Sequence, residues 1–230
     1  MHLPTRAIMA LAALLFVPRT PIAVAGSGPM PEARSIASGT SSASAALVAA
    51  AGAGGLRPHV IELAMQAHAR AVAAGQTTRS ILTVIDYSLP SRERRLWVLD
   101  IDREQVLARE LVAHGKNTGD DIARRFSNTP GSYQSSVGMF ITGETYAGKH
   151  GLSLRLNGVD PTNSNAASRA IVMHGAEYVN DGIVAQLGRL GRSEGCPALS
   201  RAGAPRIISL IRGGTVVFSY YPGPELEQAL

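Results

Sequence analysis

From residue 80 onward, the chain is a series of short runs of β-branched and aromatic residues, each bounded by turn-forming residues. Runs of this length and composition predict β-strands, and the second and third runs predict a hairpin. The Gly-Gly pair at residues 213–214 predicts another hairpin between the last two runs. We therefore expect one mainly antiparallel β domain over residues 80–222, with a loop over residues 126–136. The predicted strands cover residues 81–87, 96–101, 106–112, 137–142, 152–156, 170–174, 207–212 and 215–221.

An amphipathic helix is predicted directly before the strands, over residues 57–74. Pro58 suits the first turn of a helix, and Gly75 suits its C-terminal cap. We expect residues 56–79 to form an N-terminal helical segment that packs on the β domain, and residues 184–190 to form a short helix or an irregular turn. The fold class is mainly β with flanking helices, an α+β architecture. The apolar face of the first helix consists of Ile61, Ala64, Met65, His68, Ala71 and Val72.

Residues 1–25 have the three parts of a secretory signal peptide. Arg6 supplies the positive charge, residues 7–17 are an apolar run, and residues 23–25 (Ala-Val-Ala) match the small-residue cleavage pattern. The apolar run is shorter than the about 20 residues that a membrane-spanning helix needs, and no later segment is long enough. We expect an exported protein, periplasmic or otherwise extracytoplasmic, with no integral membrane segment after cleavage. A retained N-terminal anchor is the alternative.

Residues 26–55 are rich in Ala, Ser, Gly and Pro and contain few large apolar residues. Such a segment buries too little surface to offset its ordering entropy, so we predict a flexible linker. The alanines within it permit a short helix over residues 44–51. At the other end, residues 223–230 are predicted to be a C-terminal tail.

The net charge of the chain is +5, and it falls to +3 when the two arginines of the predicted signal peptide are removed (5 − 2 = 3). This excess is mild, and no stripe of Lys and Arg is interleaved with aromatic residues. A nucleic-acid partner is therefore not expected. Attraction to an anionic cell-wall polymer is a weaker interpretation of the same charge.

Cys196 is the only cysteine of the chain, so it has no intramolecular disulfide partner in an oxidising compartment. It lies between Gly195 and Pro197 in the run Arg-Ser-Glu-Gly-Cys-Pro-Ala. A glycine before a nucleophile lets a substrate carbonyl approach the backbone, and the amides of Gly195 and Cys196 are natural donors to an oxyanion. The alternative is a buried apolar cysteine. The polar, glycine-flanked run argues against it, because reactive thiols are partly exposed.

His174 and Gly175 end an apolar run 22 residues before the cysteine. An imidazole beside a thiol lowers the thiol pKa and can produce a reactive ion pair, so His174 is the candidate base for Cys196. Two other His-Gly pairs, at His114 and His150, invite a zinc site, but no HExxH or paired CxxC spacing is present. We therefore predict no metal and no cofactor.

Three motifs occur together and in order: Tyr-x-Gly-Lys-His-Gly at residues 146–151, His-Gly at residues 174–175 and Ser-x-Gly-Cys at residues 193–196. With them, residues 81–220 closely resemble the murein L,D-transpeptidase catalytic-domain family. The resemblance implies a β-sandwich-like L,D-transpeptidase fold. It also implies a cysteine acyltransferase that acts on peptidoglycan stem peptides and is a target of carbapenems.

By this resemblance, Cys196 attacks the carbonyl of the L-centre of diaminopimelate in a tetrapeptide stem and releases D-alanine. His174 acts as general base and acid, and the carbonyl of Gly175 orients it. Ser193 supports the thiol or its loop, and Gly195 supplies a backbone donor. The acyl group then passes to an amine, which gives a 3-3 cross-link when the amine belongs to a second stem peptide.

The chain departs from the wider family beside the nucleophile, with Glu194 instead of a histidine and Ala198 instead of an arginine or asparagine. Another group must then bind a substrate carboxylate. The residues that we expect in the substrate cleft, or as partners of that carboxylate, are Tyr146, Lys149, His150, Gly151, Arg155, Arg169 and Arg192.

These departures leave the acyl acceptor open between a second stem peptide, an envelope protein, a D-amino acid and water. Water as acceptor would make the protein an L,D-carboxypeptidase or endopeptidase. A different class of function, a non-catalytic peptidoglycan-binding domain, would follow if the fold had been kept and turnover lost.

Overall fold

The structure, a computed structural model, describes residues 44–227. The predicted signal peptide, the predicted linker up to residue 43 and the last three residues of the predicted tail lie outside the described residues. The described helices are α1 (Ala45–Ala53), α2 (Pro58–Ala73), α3 (Asp181–Leu187), α4 (Ala204–Ile211) and α5 (Pro224–Glu227). The described strands are β1 (Ile81–Asp86), β2 (Arg94–Asp100), β3 (Gln105–Leu111), β4 (Gly138–Gly148), β5 (Gly151–Gly158), β6 (Val172–Ala176), β7 (Ala198–Ser200) and β8 (Val216–Tyr220).

Within residues 44–227, eight strands form one sheet in the order β3-β2-β1-β8-β4-β5-β6-β7. The β1–β8 and β6–β7 pairs are parallel, and the other neighbouring pairs are antiparallel, including the predicted β2–β3 hairpin. The two edges of the sheet approach through Ala113 and Ala198, where the Ala113 N–H donates to the Ala198 carbonyl over 2.8 Å. The expected mainly β architecture with flanking helices is confirmed.

Helices cover both faces of this sheet. Helices α1 and α2 lie over the face that carries Leu82, Val84 and Trp97, and together they enclose one apolar core. Helix α4 packs on the opposite face and contributes three isoleucines to a second core. Burial of apolar surface on both faces makes the sheet a rigid support for the loops at its β5–β6–β7 edge.

Helix α1 lies within the segment that the composition predicts to be a flexible linker. The Ser44 Oγ caps it by accepting from the Leu47 N–H over 3.1 Å, and Leu47 and Ala51 are buried against the core under α2. The same alanines that bury little surface also have the highest helix propensity, and here packing stabilises the helix. The boundary of the packed region therefore moves from residue 56 to residue 44.

Helix α2 confirms most of the apolar face predicted for it, since Ile61, Ala64, Met65 and Ala71 are buried. The other two predicted members are not buried: His68 is half-buried, and Val72 has 48% of its surface exposed. Gly75 follows the helix with a φ of +66°, in the left-handed region that commonly ends helices.

The segment predicted as the strand 207–212 is helical, and it forms most of α4. Its isoleucines at positions 207, 208 and 211 all point into one core, which is the spacing of a helix face and not of a strand. Pro205 stands in the first turn, where helices accept proline. The predicted hairpin at residues 213–214 is therefore wrong: the two glycines follow a helix, and β8 pairs in parallel with β1.

Candidate active site

A cleft of about 520 Å³ lies beside β6 and is bounded by the β4–β5 hairpin and by the segment that leads into β7. Cys196, His174 and Ser193 line it together with most of the predicted substrate residues. Two segments bound it, and we call residues 193–196 the nucleophile turn and residues 147–151 the hairpin tip. The residues predicted for substrate binding that line this cleft are Tyr146, Lys149, His150, Arg169 and Arg192.

Register between two parallel strands brings the thiol and the imidazole to one face. His174 on β6 pairs with Ala198 on β7, and Cys196 precedes Ala198 by two residues. The Val172 N–H donates to the Cys196 Sγ over 3.5 Å, so Cys196 lies beside the residue two before His174. Side chains two residues apart along extended chain share a face, which is why both groups line the cleft.

The His174 ring is oriented from behind by its own neighbour. Its Nδ1 lies 3.0 Å from the carbonyl oxygen of Gly175, and a carbonyl only accepts, so Nδ1 carries the proton. The Nε2 then presents a lone pair and has no hydrogen-bond partner among residues 44–227. Burial lowers the pKa of His174, although the hydrogen bond to Gly175 opposes this shift. The ring is therefore a neutral base at neutral pH.

The thiol is also neutral before substrate binds. Burial raises the pKa of Cys196 above its ordinary value, and the Glu194 carboxylate adds to the rise. The Val172 N–H and the Arg169 guanidinium oppose it without reversing it. The structure thus supports a thiol and a neutral imidazole, rather than the preformed ion pair that a lowered thiol pKa would give.

Ser193 determines which backbone amides remain free in the nucleophile turn. Its Oγ donates to the Cys196 carbonyl over 2.6 Å and accepts from the Gly195 N–H over 3.1 Å. The Gly195 N–H is therefore occupied, and the predicted pair of oxyanion donors is reduced to the Cys196 N–H, which has no partner among the described residues. A serine two residues before a glycine is a local pattern that could have indicated this bond.

Gly195 is required by geometry as well. Its φ is +126°, and an added Cβ would lie 2.9 Å from the Gln134 carbonyl oxygen. The Gly195 carbonyl accepts from the Ser135 Oγ over 3.0 Å, and the same Oγ accepts from the Gly115 N–H over 3.0 Å. The turn is thus bound from behind by two loops that are distant in sequence.

The second His-Gly pair, His114-Gly115, helps to hold the nucleophile turn in place. The His114 carbonyl accepts from the Ser193 N–H over 3.0 Å, and the Lys116 N–H donates to the Ser193 carbonyl over 2.8 Å. The His114 Nε2 lies 3.2 Å from the Gly119 carbonyl, so it carries the proton and Nδ1 accepts. Burial lowers the pKa of His114 to about 4, which keeps the ring neutral.

Arg95 is the donor to this histidine, and nothing in the sequence pattern indicated it. Its guanidinium is fully buried and donates to His114 Nδ1 over 2.7 Å, to the Val112 carbonyl and to the Leu89 carbonyl. It also lies 5.1 Å from the centre of the Tyr87 ring. Burial lowers the pKa of Arg95 to about 10, so it remains a cation beneath the active site.

The third His-Gly pair lies at the hairpin tip. The His150 ring stacks on the His174 ring with centroids 4.2 Å apart and planes 23° apart. Burial lowers the pKa of His150, and Lys149 lowers it further. Gly151, which is not among the residues lining the main cleft, has a φ of +76° and makes the hairpin turn.

Two of the predicted carboxylate-binding arginines are engaged elsewhere. Arg169 donates to the carbonyls of Ser127 and Gln134 and to the hydroxyls of two serines, so it braces the 127–136 loop. Arg192 is paired with Asp120 over 2.7 Å. In contrast, Lys149 is exposed and makes no hydrogen bond or ion pair with the residues that the structure describes.

The remaining predicted residues pair with each other or are buried. Arg155 lies 4.8 Å from the centre of the Tyr146 ring. Ala198 is fully buried beneath the nucleophile turn. Glu194 is exposed at the mouth of the cleft, where its carboxylate lies 3.2 Å from the Lys116 ammonium.

The described part of the chain contains neither a cluster of metal-ligating side chains nor a membrane-spanning helix. Within residues 44–227, no group of three or more His, Cys, Asp or Glu side chains is arranged to hold a metal ion. No helix in the same range has the length and apolar character that crossing a membrane requires.

Comparison with protein families gives one match over most of the chain. Residues 53–220 match the family model described as the L,D-transpeptidase catalytic domain. No curated protein matches the chain.

The solved structures to which the chain is similar are distant from it in sequence. An L,D-transpeptidase from Mycobacterium smegmatis is 14% identical, with 62% of this chain and 59% of that chain covered and a TM-score of 0.40. One from Xylanimonas cellulosilytica is 16% identical, with 66% and 68% covered and a TM-score of 0.38. L,D-transpeptidase 3 from Mycobacterium tuberculosis, in complex with a faropenem-derived adduct, is 17% identical, with 62% and 60% covered and a TM-score of 0.38. The chain thus spans about three fifths of the length of the two mycobacterial proteins.

Proposed function

The chain belongs to the L,D-transpeptidase catalytic domain family, and we propose that it is an exported cysteine enzyme that cross-links peptidoglycan by acyl transfer. The observation that carries this proposal is that a thiol and an oriented imidazole line the same cleft. The catalytic domain would cover residues 80–222 and follow a cleaved signal peptide, which would place the enzyme in the periplasm or another extracytoplasmic space.

Acylation begins with the neutral dyad. The His174 Nε2 takes the proton of the Cys196 thiol as the sulfur attacks the carbonyl of the L-centre of diaminopimelate in a tetrapeptide stem. The Cys196 N–H donates to the oxyanion that forms, since the Gly195 N–H is already bound to Ser193. The imidazolium then protonates the leaving amine, the carbon–nitrogen bond breaks, and D-alanine departs to leave a thioester on Cys196.

The raised thiol pKa suits this sequence of steps. A thiol that stays protonated until substrate arrives is less open to oxidation than a free thiolate. Proton transfer to His174 then occurs only when the carbonyl is in place, and the hydrogen bond to Gly175 stabilises the imidazolium that forms. We therefore assign His174 as general base and acid, Gly175 as its positioning group and Ser193 as the brace of the turn.

The second half-reaction transfers the acyl group. An amine attacks the thioester carbonyl, the carbon–sulfur bond breaks, the amine proton passes to His174 and the thiol is restored. When the amine is the diaminopimelate side chain of a second stem, the product is a 3-3 cross-link. The hairpin tip would hold the stem peptide, with Lys149 as the available cation for its carboxylate and Tyr146 beside it.

Replacement of Cys196 tests the proposal directly. We expect Cys196→Ala to lower D-alanine release from a purified disaccharide tetrapeptide by more than about a thousandfold, because the nucleophile is lost. Intact-mass spectrometry should show a thioester adduct, and a carbapenem adduct, on the wild-type protein only. An unchanged melting temperature in the variant is the control for folding, and undiminished D-alanine release from it would refute the proposal.

A non-catalytic peptidoglycan-binding domain is the second candidate, and it is motivated by Glu194 and Ala198, which stand where the wider family has other residues. Such a domain would retain the tetrapeptide in a binding assay without any covalent adduct. An enzyme that uses water as acceptor would instead form the adduct and release a tripeptide stem. Product masses with and without an amine acceptor separate the three outcomes.

A further inference from the structure

Within residues 44–227, Glu194 is the only carboxylate among the side chains that line the cleft of Cys196 and His174. The same cleft is lined by four cations. Arg169 and Arg192 are held by other partners, whereas Lys149 and Lys116 are exposed. A lone carboxylate in a basic cleft, two residues from the nucleophile, is a specific placement that the acylation chemistry does not require.

The carboxylate opposes the chemistry beside it. A negative charge at this position disfavours both the thiolate and the oxyanion that form during acylation. It also contributes little to folding, since 67% of its side chain is exposed, as is 44% of the side chain of Lys116, its one ion-pair partner. Groups that break a local rule without stabilising the fold commonly serve binding.

Lys116 is held in place independently of Glu194. Its ammonium lies 3.8 Å from the centre of the Tyr133 ring, and its backbone N–H is bonded to Ser193. A second cation can therefore take the Glu194 carboxylate while Lys116 stays on the aromatic ring. Replacement of Lys116 by a substrate ammonium at the Glu194 carboxylate would cost only the small free energy of one exposed ion pair.

We propose that Glu194 forms the acceptor subsite, where it binds the ammonium group of the amine that receives the acyl group from Cys196. The inference rests on the proposed acyl transfer and adds the chemical class of the acceptor, a primary alkylammonium in preference to water. Amines of this class are protonated at neutral pH, so a carboxylate recruits their dominant form. The ammonium loses one proton to solvent through His174, and the free amine attacks the thioester carbonyl. His174 then takes the second nitrogen proton and gives it to the sulfur as the carbon–sulfur bond breaks, which restores the thiol.

The test separates the two half-reactions. The wild-type chain and Glu194→Gln are acylated with a disaccharide tetrapeptide, and the acyl-enzyme is partitioned between hydrolysis and a series of acceptor concentrations. In Glu194→Gln, we expect the KM for a cationic acceptor to rise about three- to tenfold, the effect of one charge contact. Acylation itself should become faster, because the charge that opposes the thiolate has gone.

Three comparisons make the result specific. Lys116→Met removes the competing cation and should lower the same KM, the opposite sign from Glu194→Gln. Hydroxylamine is uncharged at neutral pH, so Glu194→Gln should not raise its KM. Asp181→Asn, an exposed carboxylate paired with Arg94 and absent from the lining of the cleft, should change neither acceptor KM.

Two acceptors identify the source of the amine, a second tetrapeptide stem and a free D-amino acid, and the larger KM effect marks the physiological one. An acyl-enzyme that forms normally while Glu194→Gln leaves the cationic KM unchanged would overturn the inference and leave the proposed function standing. Failure of the wild-type chain to form any acyl-enzyme would overturn both.

Discussion

The nucleophile turn and the hairpin tip line the same cleft, but they are held by different kinds of contact. In the turn, three carbonyls and two of the amides are bonded to Ser193, Ser135 or the 113–116 segment, and a buried guanidinium supports that segment. In the hairpin tip, the main contact between a side chain and the rest of the site is the stack of His150 on His174. Lys149 beside it is exposed.

This difference matches what the nucleophile turn and the hairpin tip must each do in the proposed reaction. A reacting sulfur must be positioned within a fraction of an ångström, which requires groups whose own positions are determined by further contacts. A wall that admits a stem peptide needs fewer fixed contacts and more free charge. The comparison predicts that changes behind the turn reduce stability or turnover, whereas matched changes at the tip affect substrate affinity.

The largest effect is expected from the buried cation. Arg95→Met would leave His114 Nδ1 and the carbonyls of Val112 and Leu89 without their donor. We expect the free energy of unfolding to fall by about 3 kcal/mol or more, the cost of several unsatisfied buried acceptors. Chemical denaturation measures this. The matched change at the tip, Lys149→Met, should stay within about 0.5 kcal/mol of wild type, as exposed substitutions do. Equal losses in the two variants would contradict the comparison.

The next effect concerns two glycines with positive φ, one in the nucleophile turn and one in the hairpin tip. Gly195→Ala and Gly151→Ala both place an alanine at a positive φ, +126° and +76° respectively, where a Cβ is disfavoured. Only at Gly195 does the new Cβ meet a backbone atom, the Gln134 carbonyl oxygen at 2.9 Å, whereas at Gly151 no atom lies within 4 Å. We expect kcat to fall about 100-fold in Gly195→Ala, because the sulfur is displaced, and to change little in Gly151→Ala. Steady-state D-alanine release measures both, and similar kcat values in the two variants would show that the turn has room to adjust.

The smallest effect is expected from the stack of His150 on His174, which joins the hairpin tip to β6. His150→Ala should lower kcat/KM about tenfold, since the His174 ring loses a face contact, and His150→Phe should restore most of it. The pH profile separates stacking from charge. Turnover needs neutral His174, and burial together with the nearby His150 lowers the pKa of His174. Removal of that repelling neighbour raises the His174 pKa, so the acid limb of kcat/KM moves to higher pH in His150→Phe. An unmoved limb with restored kcat/KM would show that the stack acts through shape alone.

Local patterns predicted much of this protein, and they did so where the determinants are close in sequence. The β2–β3 hairpin, β1, β8 and the amphipathic α2 follow from alternation, turn residues and helical spacing. Short motifs singled out Cys196 and His174 as candidate site residues, and both line the cleft. Two wrong predictions, the strand over residues 207–212 and the hairpin at residues 213–214, came from the same kind of local pattern. The isoleucines at 207, 208 and 211 are β-branched and suggest a strand, but the sheet already has its partner for β8 in β1, and the three side chains fill the core from a helix.

The sequence by itself determined the mainly β class, the N-terminal helix and the candidate nucleophile motif, because each depends on residues within about ten positions of each other. Only the tertiary structure decided that β6 and β7 pair in parallel, which brings Cys196 and His174 into the same cleft. It also decided that Ser193 occupies the Gly195 amide and that Arg95, about a hundred positions away, lies buried behind the turn. These features depend on strand register and on hydrogen bonds between buried polar groups that are far apart in the chain. The free energy of burying such a group depends on which partner it meets, and no local sequence pattern specifies that partner.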